Sequence, residues 1–212
     1  MPVIHDSESI LSILQQHVPQ PSVDYAHQLW LQSPFHLKLT RSRQTKVGDF
    51  SCKSHSSHLQ ITLNNDLNPY LFLLTYVHEV AHLRVFLAHG RRAEAHGTEW
   101  KDSFKVLLQP LLQESIFPYQ ILHELRRHMV NPKASSFADI GLTVALRAHD
   151  KNSQSIALLS SIPTGSIFKL QGRYFKKGQL RRTRVVCMEM KSKRNYLVPM
   201  EAQVSDVQLS LL

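Results

Sequence analysis

The spacing of apolar residues changes period several times along this 212-residue chain, and each change marks an element. In Ser7–Val18 (SESILSILQQHV) the residues Ile10, Leu11, Ile13 and Leu14 fall at helical spacing. Ser7 is placed to cap that helix and Pro19 to stop it. A second short helix is expected from about Ser22 to Leu31. FHLKLT (Phe35–Thr40) alternates apolar and polar positions, as a half-buried strand does. VGDFSCK and HLQITL continue the strand pattern on either side of a Ser/His-rich turn at Ser54–Ser57. From Pro69 to about Ala88 the helical period returns, entered through Asn68-Pro69. Further helices are expected over Thr98–Leu112, over Gln120–Met129, and from a cap at Ser135 or Ser136 to about Arg147. His149–Ser155 is polar and reads as a linker. Beyond Ile162 the period is two again, in SIFKLQGRYFKKG, RTRVVCMEM and NYLVPMEAQV.

The pattern predicts an α+β fold. A small antiparallel sheet packs on a long apolar helix and further helices, and a small β module follows. The expected domains are residues 1–150 and 151–212. With 42% apolar residues the chain can bury a sizeable core, and its composition excludes a fibre or a disordered chain. No run reaches about 18 consecutive apolar residues, so no membrane partner is expected. The start, MPVIHDSESI, lacks the basic-then-apolar order of a secretory signal. Cys52 and Cys187 are the only cysteines; they suit a reduced, cytoplasmic protein and exclude a four-cysteine zinc ribbon.

The net charge of +9 is local. Between Lys169 and Arg194 stand ten Lys/Arg and one acid, Glu189, while the rest of the chain is balanced. A polyanion partner, DNA or RNA, is therefore expected of the C-terminal module alone, with Arg173, Lys176, Lys177, Arg181, Arg182 and Arg184 as candidate contacts. Phe168, Tyr174, Phe175 and Tyr196 interleave with these cations. The plainer reading is a β domain with a solvated basic face and inward aromatics.

The chemistry is concentrated in HEVAHLRVFLAHGRRAEAHGTEW, His78 to Trp100. His78 and His82 stand one helical turn apart on one face, so both imidazoles reach one ion at about 2.0–2.1 Å. Glu79, between them, is placed as a general base for a water activated by the metal. The surrounding LFLLTYVHEVAHLRVF is strongly apolar, which puts the motif in a buried helix. Helix rise decides the third ligand. His89, seven residues after His82, would lie roughly 10.5 Å along the axis, and Gly90 behind it reads as a helix C-cap. A metzincin site would need Gly and a ligand where this chain has Val85 and Ala88. His96, after the turn GRRAEA and at the mouth of the next helix, closes a zincin-type site. His55, His58, His123 and His128 are expected at the surface or in hydrogen bonds.

HEVAH followed by HGTEW (His96–Trp100) resembles the SprT-like zinc metalloprotease family, whose signature is H-E-x-x-H, a turn, then H-G-x-x-W or H-G-x-x-F. The strands TRSRQTKVGDF and LQITLN are similar to the hairpin that precedes the family's catalytic helix, and the likeness covers roughly residues 23 to 112. The resemblance implies one catalytic zinc held by His78, His82 and His96, Glu79 as base, a protein substrate, and Trp100 as a packing residue. Many family members add a cysteine-based zinc module at the C-terminus. This chain lacks those cysteines and has the basic β module there. Spartan-type members degrade proteins crosslinked to DNA, so DNA-bound proteins are an expected substrate class by analogy. Tyr70, Tyr76, His89 and Arg91 remain open as oxyanion donors, and oligomeric state is not legible. The competing expectation is a zinc-containing, nucleic-acid-associated regulatory protein without turnover; Glu79 argues against it, because a structural site needs no base. Metal-assisted hydrolysis of a non-peptide substrate is a third.

Overall fold

Short polar side chains cap three of the described helices at their N-termini. In the computed structural model, which describes residues 3–41, 43, 46–52, 59–132, 139–150 and 157–208, strand β1 (Val3–Ile4) leads into helix α1 (Ser7–His17). Its cap is Asp6, one residue before the expected Ser7. The Asp6 carboxylate accepts the Ser9 N–H at 2.9 Å, which supplies an acceptor to a free donor and a negative charge to the helix N-terminus. Helix α2 (Val23–Gln32), strands β2 (His36–Thr40), β3 (Gly48–Cys52) and β4 (Leu59–Asn64), and helix α3 (Pro69–His89) follow. Asn68 caps α3 by accepting the Leu71 N–H at 3.0 Å, and Gly90 ends it at φ 62° with its N–H on the Phe86 carbonyl. A helix C-cap in the left-handed region favours glycine.

Helix α4 (Thr98–Leu108) stops earlier than its period suggested, passing into a 3-10 turn over Gln109–Leu111. Pro110 lacks the N–H that a longer helix would need. Helix α5 (Tyr119–His128) and helix α6 (Ile140–Arg147) complete the unit. The Asp139 side chain caps α6 through the Leu142 N–H. The expected caps Ser135 and Ser136 lie outside the described residues, as do the Ser54–Ser57 turn and most of the His149–Ser155 linker.

The chain divides into two compact units, Met1–Asp150 and Lys151–Leu212. The class is α+β, with a four-stranded sheet in the first unit in the order β1-β2-β4-β3. That sheet is mixed rather than antiparallel throughout, because β2 runs parallel to β4 from His36↔Gln60 to Thr40↔Asn64. Strands β3 and β4 pair antiparallel, with Gly48 opposite Leu63. Helix α3 is apolar on every side, and Phe72, Leu73, Leu74, Tyr76, Val77, Val80, Ala81 and Leu83 are fully buried. A helix of this kind belongs in a core. Its stretch Pro69–Arg92 is also long and apolar enough to cross a membrane by length and composition, yet 67% of that window is buried inside the protein's own fold. Trp100, Phe104 and Phe117 fill the core beside it, each worth roughly 1.5–3 kcal/mol of burial.

The second unit is a six-stranded antiparallel sheet. Its strands are β5 (Ala157–Leu158), β6 (Ile167–Leu170), β7 (Arg173–Arg181), β8 (Arg184–Glu189), β9 (Asn195–Pro199) and β10 (Gln203–Gln208), in the order β5-β10-β6-β7-β8-β9. Alternation along β7 and β8 turns Phe175, Val185 and Cys187 inward, onto Phe168, Leu159 and Ile162. The register shifts between Lys177 and Leu180, where Gly178 lets the Val186 carbonyl approach to 2.6 Å of where a Cβ would stand.

Candidate metal centre

Helix α3 supplies two imidazoles and the return to α4 supplies the third. The chain leaves α3 at Gly90, makes one 3-10 turn over Gly90–Arg92 and runs extended at Ala93. It then turns again, with the Gly97 N–H on the Glu94 carbonyl at 3.1 Å. His96 sits in this second turn, immediately before α4. The Nε2 atoms of His78 and His82 lie 3.2 Å apart, those of His82 and His96 3.0 Å, and those of His96 and His78 3.3 Å. Imidazole–metal bonds of about 2.0–2.1 Å at a tetrahedral centre separate the ligand nitrogens by about 3.3 Å. These three nitrogens could hold a metal ion.

Burial keeps these rings neutral, which is the form that binds metal. It pulls the His78 pKa down to about 3 and that of His82 to about 4, with the neighbouring imidazoles adding to the effect. Burial lowers that of His96 as well.

Trp100, on the first turn of α4, packs against the whole trio. Its ring centroid lies 4.6 Å from His78, 5.4 Å from His82 and 4.8 Å from His96. Its indole N–H donates to the His78 carbonyl at 3.4 Å, and Phe104 stacks behind it at 5.0 Å. The packing role expected of Trp100 is thus a wall shared by all three candidate ligands. Behind Phe104 stands His128, expected at the surface or in hydrogen bonds and found buried. It is 3% exposed, its ring meets Phe104 edge-on, and its Nδ1 is 3.6 Å from the Asp139 carboxylate. Ile121, Leu125 and His128 share one face of α5, so the helical period carried the signal.

Glu79 is buried at 6% exposure, and β3 runs directly against it. Burial is the main cause that raises its pKa to about 7; the nearby Asp49 adds to this, while the Phe50 backbone N–H, Arg43 and Lys46 oppose it. Gly48 makes the approach of β3 to α3 possible. A Cβ there would stand 2.6 Å from Thr75 Cγ2 and 3.1 Å from Glu79 Oε1. No periodicity marks this glycine. The charged group beside Glu79 is pinned by Asn64, which is 1% exposed. Its side chain accepts from Arg43 Nε at 2.9 Å and donates to the Arg43 and Lys46 carbonyls at 3.3 Å. Arg43 in turn pairs with Asp49.

His89 is exposed at the end of α3 and is not among the three converging nitrogens. Tyr76 is fully buried and donates its hydroxyl to the Ala26 carbonyl at 3.0 Å, so it is not available as an oxyanion donor. His55 and His58 lie outside the described residues.

The six basic candidates of the second unit separate into groups. Lys177 is a correction: it is 9% exposed, and its ammonium donates to the carbonyls of Leu159 and Ile162, each at 2.6 Å. Two strand positions after inward Phe175, it faces the core. Arg173 pairs with Glu189 at 3.4 Å and lies over the Phe175 and Tyr196 rings. Lys176, Arg181, Arg182 and Arg184 are exposed. Comparison of the chain with protein-family models, with curated proteins and with solved structures returned no match.

Proposed function

We propose that the first unit is a zinc-dependent peptidase of the SprT-like kind. The observation that carries this reading is the convergence of the His78, His82 and His96 nitrogens at 3.0–3.3 Å one residue from a buried carboxyl whose pKa is raised to about 7. Three histidines favour zinc over harder cations, and a three-ligand set leaves a coordination position for chemistry where a structural site would take a fourth protein ligand. Zinc bound there supplies a Lewis acid for the scissile carbonyl and lowers the pKa of water toward about 7. Glu79 would take a proton from the water whose oxygen attacks the carbonyl carbon. As the C–N bond breaks, the same carboxyl returns the proton to the leaving amine. Among the described residues strand β3 is at the edge of its sheet, where an extended peptide could pair with it.

The test is metal content and cleavage of an unfolded protein substrate by wild type and three variants. Glu79→Gln is expected to bind zinc fully and to lose at least about a thousandfold in kcat. His96→Ala is expected to lose zinc affinity by about a hundredfold or more, and His89→Ala to retain it. Equal cleavage by wild type and Glu79→Gln removes the base from the mechanism. Zinc binding without any cleavage leaves the regulatory reading in its place.

A further inference from the structure

The tip of the β7–β8 hairpin gathers three arginines. Arg181 and Arg184 are directly paired across the strands, with Arg182 and Thr183 forming the turn. Like charges facing each other across a ladder disfavour the pairing. Arg182 also takes φ 54°, a left-handed conformation that glycine or asparagine adopts at less cost. Among the described residues, none of the three makes an ion pair with an acid. In the same strand Arg173 pairs with Glu189, and Lys177 is held inside the unit by backbone carbonyls. The fold thus gives two cations of this strand partners of their own and concentrates three others, at a cost to its own stability, where solvent reaches them.

We propose that this hairpin is a binding site for the phosphate backbone of nucleic acid, with Arg181, Arg182 and Arg184 as the contacts. Guanidinium forks bind phosphate oxygens in bidentate fashion, and a regular chain of phosphates matches several forks set side by side. A membrane surface fits less well. The hairpin tip exposes one large apolar side chain, Leu180 at 55%, and no aromatic ring, which is little apolar surface for insertion. The site is independent of the metal centre and stands whether or not the first unit hydrolyses peptides.

The test is fluorescence anisotropy of a short labelled DNA duplex titrated with the full chain across a range of salt concentrations. Arg181→Ala/Arg182→Ala/Arg184→Ala is compared with Lys191→Ala/Lys193→Ala/Arg194→Ala, which removes the same charge from exposed positions in the β8–β9 turn. The hairpin variant is expected to bind at least about tenfold more weakly and to flatten the dependence of log affinity on log salt by about two to three. The control is expected to change affinity by less than about threefold. Equal weakening by the two triples shows only an effect of net charge and overturns the proposal. So does wild-type protein that fails to bind DNA at low salt, or that binds vesicles of anionic phospholipid in place of DNA. Arg182→Gly keeps the proposal open to refutation should the triple variant misfold. It is expected to raise the melting temperature while weakening DNA binding, and undiminished binding removes Arg182 from the site.

Discussion

Glu79 and Lys177 are both ionisable side chains buried in the core of their own unit, and they differ in what meets the charge. Two carbonyls at 2.6 Å accept from the Lys177 ammonium, with the Ser160 carbonyl at 3.4 Å. The Glu79 carboxyl has the Phe50 N–H as its one hydrogen-bond contribution, against burial and the Asp49 charge. A buried charge with its partners in place ties a loop to a strand and is spent on structure. A buried carboxyl short of partners keeps its proton near neutral pH and stays reactive. Burial alone therefore does not distinguish the two groups; how far each charge is satisfied does.

Exchanging Lys177 for methionine gives the largest test of this contrast. The stem still packs, but the carbonyls of Leu159 and Ile162 lose their donor, and the second unit is expected to lose about 3–5 kcal/mol, read from urea unfolding. A loss below about 1 kcal/mol would place the ammonium outside the unit's structural needs.

Glu79 is expected to behave in the opposite sense in metal-free protein. It holds its proton more tightly folded, with a pKa of about 7 against an ordinary 4.5. Its contribution is fully present below pH 4.5 and is lost as the pH rises through 7. Glu79→Gln cannot ionise, so at pH 8 it is expected to exceed wild type in stability by up to about 3 kcal/mol and to match it near pH 4. Equal stability at both pH values would show that the carboxylate is well solvated. The smallest effect is expected from Gly48→Ala, about 1–3 kcal/mol, because the added methyl meets Thr75 and the Glu79 carboxyl. Calorimetry reads that loss, and an unchanged melting temperature would mean that β3 stands further from α3.

Local spacing carried the candidate site and distant pairing did not. His78 and His82 follow from one turn of helix, and helix rise together with Gly90 separates His96 from His89. The parallel pairing of β2 with β4 is set by elements apart in the chain, and the two-residue strands β1 and β5 are too short to show a period. Lys177 and His128 were legible in principle, since each occupies an inward position of its element. Their polarity argued for the surface, and only the carbonyls around one and the Asp139 and Phe104 contacts of the other explain their burial. Gly48 is a matter of clearance between a strand and a helix, which no single segment encodes.

Trp100 lies within 5.4 Å, centroid to centroid, of all three imidazoles. The other tryptophan, Trp30, is held elsewhere in the core by its bond to the Phe35 carbonyl at 2.8 Å. The indole is thus a built-in optical probe of the centre. In a Trp30→Phe background its emission is expected to change when the three imidazoles take up an ion, without label or substrate.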